Sequence, residues 1–355
     1  MKKILFLENK YYYDLLGFNK IYYLYNCEFE GIKNYKIKNK ELKKYNAIIS
    51  LLYQNSISNF IILKAKRLGI KTILLSDGIY DFANSYKNPD RKKYNLNLFD
   101  PIFHDYFLCI GRKEKKMLEN SFNQVEQYLP KRILDTHHER ILLAEKGKVL
   151  ITTANTPYFN EIEKKELVEL LKRIILSLEN LNIKYIFRIF DLNLINELNI
   201  LDSNNLKEGS FESVLKDIEY VITTPSSISL TSMFHQRAVA HLIYRDTPIL
   251  IQSGWNISKS YPIEKTLVSF INKDKERIDF QNKILKNYIV DKEADDILSK
   301  IIEKKFEQKK EEFIITNLEN MLNSIFNFNI EYFFRKIYLK IKNIKIVKSI
   351  KQKIK

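Results

Sequence analysis

Cysteine, glycine and proline are scarce in this chain: 355 residues include two Cys, eight Gly and seven Pro. Cys27 and Cys109 are too few and too far apart for a disulfide framework or a zinc site. Both are expected to be buried free thiols in a reducing compartment. The low Gly and Pro content excludes collagen-like and Pro/Gly-rich low-complexity chains. No apolar run approaches the roughly 18–20 residues of a membrane-spanning helix. The opening MKKILFLENK has about four apolar residues before Glu8, against the roughly 7–15 of a secretory signal. These absences lead to the expectation of a cytosolic protein. Walker A, G-x-G-x-x-G and G-x-S-x-G patterns are also missing, which argues against a P-loop nucleotidase, a dinucleotide-binding turn and an α/β-hydrolase.

Apolar residues are plentiful, at 45% hydrophobic with 29% charged, so the chain can bury real cores and is not globally disordered. Its length is a soft prior for two domains. The net charge is +16, and residues 335–355 hold nine basic residues and no acidic one, leaving +7 for everything before them. A basic end on a mildly basic body suggests an anionic partner. In this end Ile337, Ile341, Ile344, Val347, Ile350 and Ile354 recur every three or four residues, with Lys336, Lys340, Lys345, Lys348 and Lys351 between them. That spacing predicts a basic amphipathic helix, suited to an anionic membrane surface or to docking on the body. Without an RNP signature, zinc finger or helix-turn-helix, no nucleic acid is expected as a partner.

Residues 3–7, 47–52, 72–75 and 107–110 are continuous apolar runs, with helical patterns over 56–68 and 112–121. Such runs predict parallel strands covered on both faces. A less regular stretch, 126–146, precedes a second series: strands at 149–152, 185–190, 220–222 and 239–244, and helices at 161–180, 213–217 and 228–235. The expected organisation is an N-terminal Rossmann-like acceptor domain (1–130), a C-terminal Rossmann-like nucleotide-sugar domain (147–280) and a helical segment with the basic tail (281–355). Two doubly wound α/β domains facing a cleft suggest the GT-B architecture of glycosyltransferases, with ligands at the carboxyl ends of the strands.

The richest stretch is YVITTPSSISLTSMFHQRAVAHLIYRD, residues 220–246. A strand ends in Thr223-Thr224-Pro225-Ser226-Ser227 and a helix follows. Ser226 or Ser227 is expected to cap that helix, whose free amides and hydroxyls suit a phosphate; an ordinary capped turn is the plain alternative. The serine pair resembles the Ser-Ser/Thr motif of bacterial GT-B sialyltransferases. It is also similar to the corresponding region of capsule Kdo transferases and of polyol-phosphate transferases of the teichoic acid type. The resemblance spans about residues 1–270 and implies that these hydroxyls hold the phosphate of a CMP-sugar.

In LLSDGIYD, residues 74–81, Asp77 follows a strand and precedes Gly78. A carboxylate at a strand end can take the proton of an acceptor hydroxyl. The position resembles the acidic-acidic-Gly motif of those sialyltransferases, which implies Asp77 as the base; Ser76 stands where the family often has another acid, and Asp81 is the fallback. The family's His-Pro pair is absent, and the 185–190 strand carries Arg188 instead. Arg188 is a candidate for a phosphate or a donor carboxylate, or else a surface charge on an edge strand. Thr152, Asn155 and Thr156, with Thr153, concentrate hydrogen-bonding groups after the first strand of the second domain. Arg245, Asp246 and Trp255 fall near the expected cleft rim, with burial the plainer role for Trp255. His137-His138 reads as surface. No Asp-x-Asp is present, so no metal and no cofactor is expected.

The expectation is a peripheral enzyme on the inner face of the cytoplasmic membrane, making a lipooligosaccharide or capsule. It would move sialic acid, another nonulosonate or Kdo from a CMP-activated donor to a glycan or glycolipid acceptor. Polyol-phosphate transfer from a CDP-alcohol and transfer from an NDP-hexose are the alternatives within the class. A non-catalytic basic protein binding membrane or nucleic acid is the alternative outside it.

Overall fold

The computed structural model describes residues 1–34, 36–51, 55–89, 97–99, 102–119, 124–143, 147–305 and 337. It forms two all-parallel sheets. The first contains β1 (Lys3–Phe6), β2 (Asn26–Glu28), β3 (Ala47–Ser50), β4 (Lys71–Leu75), β5 (Tyr106–Cys109) and β6 (Val125–Gln127), in the order β2-β1-β3-β4-β5-β6. The second contains β7 (Lys148–Thr152), β8 (Tyr185–Arg188), β9 (Ile218–Thr223), β10 (Ala238–Ile243) and β11 (Trp255–Ser258), in the order β11-β10-β9-β7-β8. This is the expected GT-B architecture. Strand order reverses between β1 and β3 in one sheet and between β7 and β9 in the other. Open α/β sheets bind ligands at the carboxyl ends of such reversal points.

The apolar runs became strands because a parallel sheet covered on both faces leaves no polar side for alternation. β3 and β4 are buried along their full length. Between β7 and β8 runs the helix Glu161–Asn180, which buries Leu167, Leu170, Leu171, Ile174 and Leu178 on one stripe. A reciprocal cap fixes its start. Asn160 Oδ1 accepts the Glu163 amide at 2.9 Å, and Glu163 Oε2 accepts the Phe159 amide at 2.9 Å.

The last described helices depart from the expected separate segment. The helix Lys275–Lys286 packs on the second domain, where Gln281 Oε1 accepts the Val239 amide. The chain then returns to the first domain. The helix Ala294–Glu303 buries Ile297, Leu298, Ile301 and Ile302 in one core with Ile4, Phe6, Ile73 and Leu108. Asp295 accepts the amides of Lys20 and Ile21, both at 3.0 Å. The tail expected to be an amphipathic helix lies outside the described residues except for Ile337.

The return crossing is clamped at the carboxyl ends of β5 and β6. Asn287 O accepts the Arg112 amide at 3.1 Å and Gln127 Nε2 at 2.9 Å. Tyr288 donates its hydroxyl to Glu114 Oε1 at 2.9 Å. Gly111 (φ +98°) leaves room for this contact, since a Cβ there would lie 2.1 Å from Glu114 Oε2. Burial pushes the Glu114 carboxyl up from 4.5 to about 7. Between those values the folded chain keeps a proton that the unfolded chain releases, so stability falls as pH rises through the window. Glu114→Gln keeps an acceptor for Tyr288 and cannot ionise. Urea titrations at pH 5 and pH 8 should show the parent losing roughly 2–3 kcal/mol more than the variant; equal losses would remove Glu114 from this role.

Candidate functional site

At the β7/β9 reversal point two loops are joined by a hydroxyl. Thr224 Oγ1, buried after β9, accepts the Ala154 amide at 2.7 Å from the loop after β7. Thr223 Oγ1 donates to Thr224 O at 2.9 Å and lies 3.5 Å from Ser226 Oγ. Pro225, Ser226 and Ser227 are half-buried, and Asn155 and Thr156 are exposed on the facing loop. The buried Thr153 Oγ1 finds no partner among the described residues. Thr152 Oγ1 turns away and donates to Arg188 O at 2.7 Å. Most of the expected donor-binding residues are thus brought together at one sheet's reversal point.

The helix Ile228–Phe234 follows, without the expected side-chain cap. Ser227 sits at the cap position with helical backbone (φ −61°, ψ −24°), so its hydroxyl is not turned back onto the first amides. Among the described residues the Ser227 hydroxyl makes no cap bond, and Ser226 Oγ has only its 3.5 Å contact with Thr223 Oγ1. Below them Ser229 Oγ meets His241 Nε2 on β10 at 2.7 Å, both residues fully buried. Burial holds His241 down at about 3, so the ring is neutral at physiological pH.

Asp77 stands at the carboxyl end of β4. Its side chain is 64% exposed and its carboxylate lies 3.4 Å from Arg132 Nη1. The turn beneath is rigid: Ser76 Oγ donates to Gly78 O at 2.6 Å, and the buried Tyr128 donates to Ser76 O. The next residue of the connection, Ile133, accepts Thr231 Oγ1 from the helix that carries the serine pair. Two adjacent linker residues therefore tie the Asp77 turn to the serine helix.

Asp81, the fallback base, is otherwise engaged. It caps the helix Phe82–Tyr86 through the Ala83 amide at 3.0 Å and lies 3.9 Å from Arg245 Nη1. Burial raises its carboxyl, and the arginine opposes that shift. Arg245 also donates Nε to Glu163 Oε2 at 2.9 Å and Nη2 to Pro157 O, and stacks 4.5 Å above the Phe159 ring. Asp81, Arg245 and Pro225 line a narrow slot between the domains whose other walls are residues 79–80, Phe82, residues 242–244 and residues 247–251; Glu163 stands behind it, holding Arg245. Glu163 was not anticipated as part of the site. Its signal in the sequence is the Asn160-x-x-Glu163 cap, which places a carboxylate at the helix start facing the cleft.

Arg188 is not the surface charge of the plainer expectation. It is buried on the edge strand β8, and it donates Nη1 to Leu206 O at 2.6 Å and Glu208 O at 3.1 Å, and Nη2 to Gly209 O at 2.8 Å. These bonds tie the guanidinium to the 206–209 loop. Trp255 is buried, donating Nε1 to Ser269 Oγ at 2.9 Å against Phe270. His137 and His138 are exposed. Glu8, at the β1/β3 reversal point, is a carboxylate the sequence reading passed over. It is buried and accepts the Leu51 amide at 3.1 Å and the Tyr13 hydroxyl.

No family model and no curated protein matches the chain. Solved structures share its fold. The S. aureus MnaA–UDP co-structure overlaps with a TM-score of 0.53 at 13% identity, over 87% of this chain and 100% of that one. TarM overlaps with a TM-score of 0.47 at 15% identity, over 80% of this chain; the match spans 57% of TarM's own length. The wall teichoic acid polymerase TagF (H444N variant) gives 0.46 at 12% identity, over 91% and 90% of the two chains. At these identities the likeness is one of fold.

Proposed function

We propose that this chain is a glycosyltransferase that binds a nucleotide-linked donor between its two domains and passes the sugar to a glycan or glycolipid acceptor of a bacterial surface polymer. The observation that carries the reading is the pair of hydroxyl-bearing loops, 152–156 and 223–227, joined at the reversal point of the second sheet. A rigid, solvent-accessible carboxylate, Asp77, stands at a strand end of the first. Asp77 takes the proton from the acceptor hydroxyl as its oxygen attacks the anomeric carbon. The bond from the anomeric carbon to the donor phosphate breaks, its electron pair leaves on the phosphate oxygen, and the Ser226 and Ser227 hydroxyls and the amides of residues 226–228 donate to that charge. A CMP-activated acidic sugar is the preferred donor and rests on the resemblance of the serine pair. A uridine nucleotide is the second reading, because the MnaA structure holds UDP.

Donor turnover by the full chain over CMP-, CDP-, UDP- and GDP-linked compounds tests both readings. Turnover of one class names the donor, and no release from any member would overturn the enzyme. Replacing Ser226 and Ser227 together by Ala removes two hydroxyl donors to a charged group, each contributing about 1.5–3 kcal/mol. Affinity for the nucleotide bound by the parent should fall at least about tenfold by calorimetry; unchanged affinity would place the phosphate elsewhere.

A further inference from the structure

A second charged concavity lies away from the cleft. The helix Arg112–Glu119, the edge strand β6 and the helix Ala294–Glu303 enclose a groove of about 800 Å³. Its acids are largely neutralised: Glu119 and Glu126 both pair with Lys115, at 3.6 and 3.1 Å. Its other cations are not. Arg112, Lys116, Lys292 and Lys300 are exposed and have no acidic partner among the described residues, and Lys304 meets the Gln124 amide oxygen at 2.9 Å and lies 5.9 Å from the centre of the Tyr106 ring, with no acidic partner among them either. Asp296 is the one groove carboxylate without an ion pair among those residues. The lining is amphiphilic, because Tyr106, Ile297 and Ile301 also contribute to it. The described chain leaves this same groove at Lys304 and Lys305, toward the sequence that carries nine further basic residues at 335–355.

From these features we infer that the groove is a binding site for the anionic headgroups of a lipid bilayer. Five like charges around an open concavity, left without counter-ions by the fold, repel one another and are stabilised by an anionic surface. The isoleucine spacing of the basic end and the apolar part of the groove favour a lipid surface, which offers both charge and hydrocarbon. The site does not depend on the donor or on the transfer reaction, so its test reads binding alone.

Co-sedimentation of the full chain with phosphatidylglycerol–phosphatidylcholine vesicles, and with pure phosphatidylcholine vesicles, reads the site. The parent should prefer the anionic vesicles, and less so as salt rises. Lys116→Glu with Lys300→Glu should lower that partition by at least about tenfold, since each basic side chain near the surface contributes about 1 kcal/mol. Lys116→Gln with Lys300→Gln should give a smaller loss at an unchanged melting temperature, which separates lost charge from lost fold. Undiminished partition of the Glu pair would leave the site to the tail alone and overturn the groove. So would equal binding of the parent to both vesicle types, or calorimetric binding of inorganic phosphate without any vesicle binding.

Discussion

Asp77→Asn should lower turnover by about 10²–10⁴-fold while leaving the fold and nucleotide affinity in place. The substitution keeps size and turn preference and removes only the ability to accept a proton. The change should be clean, because among the described residues the carboxylate caps no helix and accepts a hydrogen bond only from Arg132. The corresponding change at Asp81 would keep the helix cap, because an Asn oxygen also accepts the Ala83 amide, but would remove the charge that faces Arg245, so its effect would mix the slot's ion pairing with chemistry. Single-turnover rates and a melting curve on the two variants separate these cases. Activity of the Asp77 variant within a few-fold of the parent would remove it from the base's role.

Arg237→Ala should be the most destabilising single change in the second domain, at about 4 kcal/mol or more. Arg237 is fully buried, and its guanidinium bonds the carbonyls of Ile218, Leu215, His235, Ile141 and Leu142. Alanine leaves those acceptors unpaired, and each orphaned buried group costs about 1–3 kcal/mol. Arg237→Lys keeps the charge without the planar fork and should fall between parent and Ala variant. Denaturant midpoints check the order. A loss under about 1 kcal/mol for Ala would mean that water replaces the guanidinium.

Arg237 also marks where the sequence stops being legible. Central strands announce themselves, because a strand buried on both faces is an unbroken apolar run: residues 47–50 and 71–75 stand out, and so does the buried stripe of 161–180. Three of the four edge strands do not, β8 being the exception. β2 (NCE), β6 (VEQ) and β11 (WNIS) are three or four residues with polar members, since one side of each lacks a neighbour, and none was anticipated. The hydroxyl-rich loops were legible because small polar residues after an apolar run have few structural uses. The partners of long side chains were not. Arg188, Arg237 and Arg245 each bond backbone carbonyls supplied from elsewhere in the chain, which no local spacing announces. The return of residues 294–303 to the first sheet was hidden for the same reason, as an amphipathic helix does not say which sheet it covers.

That return has a consequence for synthesis on the ribosome. The second domain is built from one continuous stretch and can close as soon as residue 286 has emerged. The first domain begins the chain but lacks Ile297, Leu298, Ile301 and Ile302 until the whole second domain has been made. Its sheet must wait with one face open while the other domain folds, so the first part to be made is the last to be finished.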